Sequence, residues 1–184
     1  MLKSICVFGG SSDNVAAYYL ETSVELGRLI ALHNWTLVCG GTNSGSIKKL
    51  AHSVQQGGGT VIAIIPRIMS GTPYVYEDAD EIVITEDLLN RKAAMVSASE
   101  AFIILPGGLG TLDEAINVVT MKYLRMHHKP IVFMNINGFF NTYFALMAAL
   151  LTESFISPED FKNLYLIEPT PEKVIDKLKQ LIPQ

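Results

Sequence analysis

Short apolar runs, each closed by glycine or proline, alternate along this chain with longer stretches in which apolar residues recur at three- and four-residue spacing. The unbroken runs fit strands buried on both faces, and the recurrent spacing fits amphipathic helices. Strands are predicted at Ser4–Phe8, Trp35–Cys39, Thr60–Ile65, Ile82–Ile84, Ala101–Leu105, Ile131–Met134 and Leu164–Ile167. Helices are predicted at Val15–Leu32, Ser46–Gln56, Asp87–Ser97, Leu112–Leu124, Phe139–Leu151 and Pro171–Leu181. Strand and helix alternate, which implies an α/β fold with a doubly wound, mainly parallel sheet. The stretch Arg67–Asp80 has weak periodicity and carries Gly71, Pro73, Tyr74 and Tyr76, so it reads either as a mobile segment over a site or as a solvated loop.

The run Ala101–Leu105 feeds Pro106-Gly107-Gly108-Leu109-Gly110-Thr111-Leu112-Asp113-Glu114. Pro106 cannot extend a strand ladder, and the glycines let the backbone turn sharply into a helix. Such a turn aims unpaired N–H groups and the positive end of the helix dipole at one point, where an anion, most simply a phosphate, is favoured. Thr111 and Glu114 by themselves also read as a capping box, in which the hydroxyl and carboxylate satisfy the first N–H groups of the helix. Gly107, Gly108 and Gly110 are not needed for a cap, and a carboxylate beside a phosphate is costly unless it serves the substrate.

The other loops narrow the choice. Gly40-Gly41-Thr42-Asn43-Ser44-Gly45 has the glycine spacing of a P-loop but continues Ser46-Ile47, without the Lys-Ser/Thr pair that a Walker A motif needs. Gly9-Gly10-Ser11-Ser12 after the first strand does not satisfy G-x-G-x-x-G, which disfavours an ordinary NAD enzyme. Arg91 has Asp87 one turn earlier as partner for an exposed ion pair, yet its helix precedes the strand that feeds the glycine turn, so it can reach that end of the sheet.

Length, charge and cysteine usage bound the remaining classes. A chain of 184 residues, about half of them apolar, supports one substantial core and a single domain. The net charge of −4 gives no footprint for nucleic acid or an anionic membrane. Met1-Leu2-Lys3-Ser4 runs into the first strand without a signal-peptide pattern, and the apolar Phe139–Leu151 stretch is short of the roughly 20 residues that span a bilayer. A cytoplasmic location is expected, with Cys6 and Cys39 as buried thiols. No metal-ligand spacing joins these cysteines or His33, His52, His127 and His128, whose expected roles are helix-end or loop solvation.

Taken together, Cys6-Val7-Phe8-Gly9-Gly10-Ser11-Ser12, Gly40-Gly41 with Gly45, Arg91-Lys92 with Met95, and the P-G-G-x-G-T-x-x-E run from Pro106 to Glu114 resemble the Lonely Guy family of cytokinin riboside 5′-monophosphate phosphoribohydrolases. The similarity extends over almost the whole chain, through Lys129-Pro130 and Asn135-Ile136-Asn137-Gly138-Phe139-Phe140. The resemblance implies a Rossmann-like fold and cleavage of a purine nucleoside 5′-monophosphate such as AMP, without cofactor or metal. It implies Arg91 and Glu114 as the catalytic pair and Gly107, Gly108, Gly110 and Thr111 as the phosphate cradle. Ser11, Gly41, Lys92, Met95 and Thr120 fall where that family lines its nucleotide pocket. Thr42, Ser46-Ile47-Lys48, Leu88-Leu89-Asn90, Met121 and Tyr123 depart from the family's usual residues and bear on which base is taken.

Members of that family often carry the label lysine decarboxylase, but that chemistry needs pyridoxal phosphate on a lysine, and no such residue set can be picked out. A non-catalytic nucleotide or molybdenum-cofactor carrier on the same fold would keep the glycine loops and have no use for Arg91 with Glu114. A single-stranded DNA binder would need a basic, aromatic-interleaved stripe that is missing here. The apolar Phe139–Leu151 helix, together with the resemblance, implies a homodimer or larger assembly.

Overall fold

A computed structural model describes residues 3–182. Met1 and Leu2, which opened the reading of the amino terminus above, lie outside them. The elements run β1 (Ser4–Phe8), α1 (Ala17–Leu32), β2 (Thr36–Cys39), α2 (Gly45–Gln56), β3 (Val61–Pro66), a 3₁₀ turn at Arg67–Met69, β4 (Glu81–Thr85), α3 (Leu88–Ser97), β5 (Ala101–Ile104), α4 (Leu109–Tyr123), β6 (Ile131–Met134), a 3₁₀ turn at Ile136–Gly138, α5 (Asn141–Thr152), α6 (Pro158–Phe161), β7 (Leu166–Glu168) and α7 (Pro171–Leu181).

All seven strands pair in parallel in the order β4-β3-β2-β1-β5-β6-β7. The doubly wound α/β expectation is met, with its Rossmann-like order. Because side chains alternate along a strand, each central strand feeds two cores. Ile5, Val7 and Ile103 pack under α1, α2 and α7 with Leu26, Leu50 and Val174. Cys6, Phe8, Phe102 and Ile104 pack on the opposite face with Met95 of α3, Val118 of α4 and Met147 of α5. Burial on both faces explains why these strands read as unbroken apolar runs rather than alternating ones.

The chain reverses winding between β1 and β5, so the loops after these two strands diverge and leave a crevice at their carboxyl ends. Gly10 N–H donates to the Pro106 carbonyl at 3.2 Å, which ties the two loops together at its floor. A side chain at Gly107 would lie 2.8 Å from Gly10 N and overlap Thr111, so only glycine allows this approach.

Two expectations need correction. The 67–80 stretch is pinned down over its second half. Val75 bridges Thr42, Tyr76 N–H donates to the Gly41 carbonyl, and the buried Tyr76 hydroxyl donates to Gln55. Only its first part, with Ile68 exposed and Met69 over the crevice, stays near the site. His127 is not a solvated loop residue: its buried ring bonds the Val118 carbonyl through Nε2 and accepts from Lys129 N–H through Nδ1, fastening the end of α4 to the loop before β6.

Candidate active site

The glycine turn enters α4 earlier than its sequence suggests. The helix begins at Leu109, with Gly108 as N-cap and no side chain capping it. Thr111 is therefore in the first turn and Glu114 in the second, so the two do not form a capping box. The first N–H groups, on Leu109, Gly110 and Thr111, have no acceptor within the helix and face the region that an anion would occupy. A Cβ at Gly108 or Gly110 would meet nothing within 4 Å, so both leave open space for a ligand to approach.

Glu114 points inward to Arg91 of α3. Arg91 Nη1 donates to Glu114 Oε1 at 2.8 Å, and their side chains are only 13% and 11% exposed. Arg91 Nε donates to the Ile64 carbonyl of β3 at 2.9 Å, which fixes the guanidinium from a second side. Asp87 is not its partner, since that carboxylate caps α3 by accepting from Asn90 N–H at 2.8 Å. A Cβ at Gly40 would overlap Arg91 Nη2, so the bare backbone after β2 is what lets the guanidinium lie there.

Burial raises the Glu114 carboxyl above its ordinary value, and the charge and hydrogen bond of Arg91 pull it partly back. Burial also raises the Cys6 thiol and pushes Cys39 up to about 11, so neither supplies a thiolate at neutral pH. Among the described residues no group of three or more His, Cys, Asp or Glu side chains could hold a metal ion.

A cavity of about 280 Å³ joins these features, close to the low end of small-molecule pockets at roughly 300 Å³. Of the residues singled out by sequence, Ser11, Arg91, Gly108, Gly110, Thr111 and Glu114 line it. The others stand elsewhere. Gly107 forms the floor between the loops, and Gly41, at φ +65°, packs against Ala63 and Ile65 of β3. Lys92 Nζ pairs with both carboxylate oxygens of Asp113, at 3.0 and 2.9 Å, making a second rung between α3 and α4 beside the Arg91–Glu114 pair. Met95 is fully buried in the core, and Thr120 lies two and a half turns past Thr111 on an outer face of α4, bordering α5.

Sequence reasoning missed Gly40 and Met69 as lining residues and the Ile64 carbonyl as an anchor, whereas Thr42, marked above as a departure that bears on the base, does line the cavity. Gly40 was visible in the Gly40-Gly41 pair, but the guanidinium that needs its empty space is 51 positions away. The second glycine loop is not a further anion site. Asp13 accepts from Gly45 N–H at 3.0 Å, the Gly10 carbonyl accepts from Ser46 N–H at 2.9 Å, and Ser44 Oγ donates to the Ser11 carbonyl at 2.6 Å. The β1 loop thus occupies the amino terminus of α2.

Residues 47–178 match the family described as possible lysine decarboxylase. The chain is 35% identical over 181 residues to the cytokinin riboside 5′-monophosphate phosphoribohydrolase LOG3 of Arabidopsis thaliana, covering 98% of this chain and 84% of that protein. It is 34% identical over 181 residues to the probable cytokinin riboside 5′-monophosphate phosphoribohydrolase LOGL3 of Oryza sativa subsp. japonica, covering 98% and 85%. Among solved structures, the molybdenum cofactor binding protein of Rippkaea orientalis superposes with a TM-score of 0.75 at 24% identity, covering 100% of this chain and 99% of that one, a likeness of fold. With the P-G-G-x-G-T-x-x-E turn, the Arg91–Glu114 pair and full-length similarity in hand, the chain belongs to the Lonely Guy family of phosphoribohydrolases.

Proposed function

We propose that this protein hydrolyses the N-glycosidic bond of purine nucleoside 5′-monophosphates, N6-modified ones included, to free base and ribose 5-phosphate. The observation that carries this reading is the buried Arg91–Glu114 pair at 2.8 Å in the same cavity as the open amino terminus of α4. The anionic end of a nucleotide is held by the amides of that helix, and the reacting sugar lies toward Glu114. Departure of the base builds positive charge on the ribose ring. The Glu114 carboxylate stabilises that charge and accepts a proton from the attacking water, as carboxylates do in glycoside hydrolysis. Arg91 holds the carboxylate ionised despite its burial and orients it. The phosphate does not react, so its binding energy serves orientation.

A carrier that only bound a nucleotide or a molybdenum cofactor would gain nothing from a buried cation–carboxylate pair, whose desolvation is costly unless it is used. A lysine decarboxylase would need a lysine in the cavity; none lines it, and Lys92 is engaged by Asp113. The two buried thiols fit a reducing compartment, and the cytoplasm is the location we propose.

The test is base release from AMP and from adenosine under identical conditions. AMP is expected to be turned over with a kcat/KM at least about a hundredfold higher, since the phosphate positions the sugar. Equal turnover of the two would remove the role assigned to the α4 terminus.

A further inference from the structure

The loops after β1 and β5 have a cavity on each side. The one described above lies toward α3 and α4; a second, of about 320 Å³, lies toward α1. It exists because the β1 loop runs on past Ser12 to engage α2, so that α1 starts only at Ala17 and leaves the loop uncovered. Its walls are Val15, Tyr19, Pro106 and Phe139, with the hydroxyl-bearing Ser12 and Ser46 at the loop side. Tyr19 and Phe139 meet edge to face, with ring centroids 5.9 Å apart. No Asp, Glu, Lys or Arg side chain lines it, so a charged group would be poorly solvated there and a neutral ring well accommodated.

The two cavities share Gly10, Ser11 and Gly108. Ser11 and Gly108 are exposed, and nothing stands where a Gly108 side chain would be, so the shared rim is an open saddle. Gly108 is also the cap of α4, which places the anion-favouring helix end beside that saddle. Charge is thus favoured at the rim, a neutral ring in the α1-side cavity, and the reacting sugar on the other side toward Glu114. In doubly wound sheets a dinucleotide lies across this same reversal point.

Resting on the nucleotide reading above, we infer that the site extends past the phosphate into the Tyr19–Phe139 cavity and binds pyrophosphate-linked dinucleotides, one nucleoside half in each cavity. Titration calorimetry with AMP, ADP and P1,P2-di(adenosine-5′) pyrophosphate on the wild-type protein tests it, ADP controlling for the added phosphate alone. The dinucleotide is expected to bind at least tenfold more tightly than ADP. Val15→Trp, which fills the second cavity, and Phe139→Ala, which removes a wall, are each expected to bring that ratio close to one. A ratio near one in the wild type, or a ratio unchanged in both variants, overturns the inference while AMP binding keeps the nucleotide reading intact. Failure of all three ligands to bind overturns both.

Discussion

Gly40 and Arg91 compete for the same space, and the empty Cα of one sets the position of the other. The guanidinium is the far end of a flexible side chain, so Gly40→Ala is expected to spare the fold, with the cost falling on the bonds to Ile64 and Glu114. The readout is the carboxyl of Glu114. Its folded-state value is raised by burial and restrained by Arg91. The sign follows from that direction. A carboxyl raised on folding favours its protonated form, so its contribution to stability is full below the unfolded value and lost as pH rises through the higher folded one. In the proposed mechanism activity runs the other way, since that mechanism needs the carboxylate ionised, and it falls as pH drops through that raised value. The acidic limb of kcat/KM is therefore expected above the ordinary carboxyl range near 4.5. Removing Arg91's charge in Arg91→Gln, or displacing it in Gly40→Ala, is expected to move that limb to still higher pH, and Arg91→Gln is expected to lower the melting temperature as well, since it leaves the buried Glu114 carboxylate without its cation. A limb that stays put in both variants would show that Arg91 does not tune Glu114.

At the scale of elements, strands were more legible than the site they serve. Unbroken apolar runs such as Ala101–Leu105 and Ile131–Met134 can be satisfied only by burial on two faces, so their assignment needed no tertiary knowledge. The start of α4 was misplaced because glycines usually announce a turn, whereas here Gly108 caps the helix and Gly110 sits within its first turn. The same shift converts Thr111 and Glu114 from a cap into an inward-facing pair of residues, a change that local pattern cannot disclose. The short helix α6 was also unread, although Ser157 followed by Pro158 carries the cap-and-proline signature that opens it. Met95 and Thr120, carried over from the family, sit respectively in the core and on the outer face of α4, because helical spacing fixes a face only relative to neighbours that sequence does not show.

Over the whole molecule, the outer face of α4 and α5 remains apolar. Ile116 and Leu146 are 50% and 60% exposed and border a groove of about 200 Å³ in which Thr120 also stands, and Phe155, past the end of α5, is 74% exposed. A second copy of the chain is the covering that the family resemblance implies, and we propose a homodimer through this face. Leu146→Glu, which places a charge in the groove, is expected to convert the dimer to a monomer in light scattering coupled to size exclusion. An unchanged mass would place the contact elsewhere. Along α4 the groove begins at Ile116, two residues past Glu114 and on the other side of the helix, so the same helix serves both the cavity and the apolar face.

The proposed chemistry falls on the Glu114 carboxylate, and its most direct measurement is chromatographic detection of free adenine and ribose 5-phosphate from AMP with wild-type protein and Glu114→Gln, matched for folding by circular dichroism. The glutamine keeps the shape and can still accept from Arg91, so the fold is expected to survive. Wild type is expected to release both products in equal amounts, and the variant to do so at least about a hundredfold more slowly. Comparable release by the two proteins, or none by the folded wild type on any purine monophosphate, would contradict it.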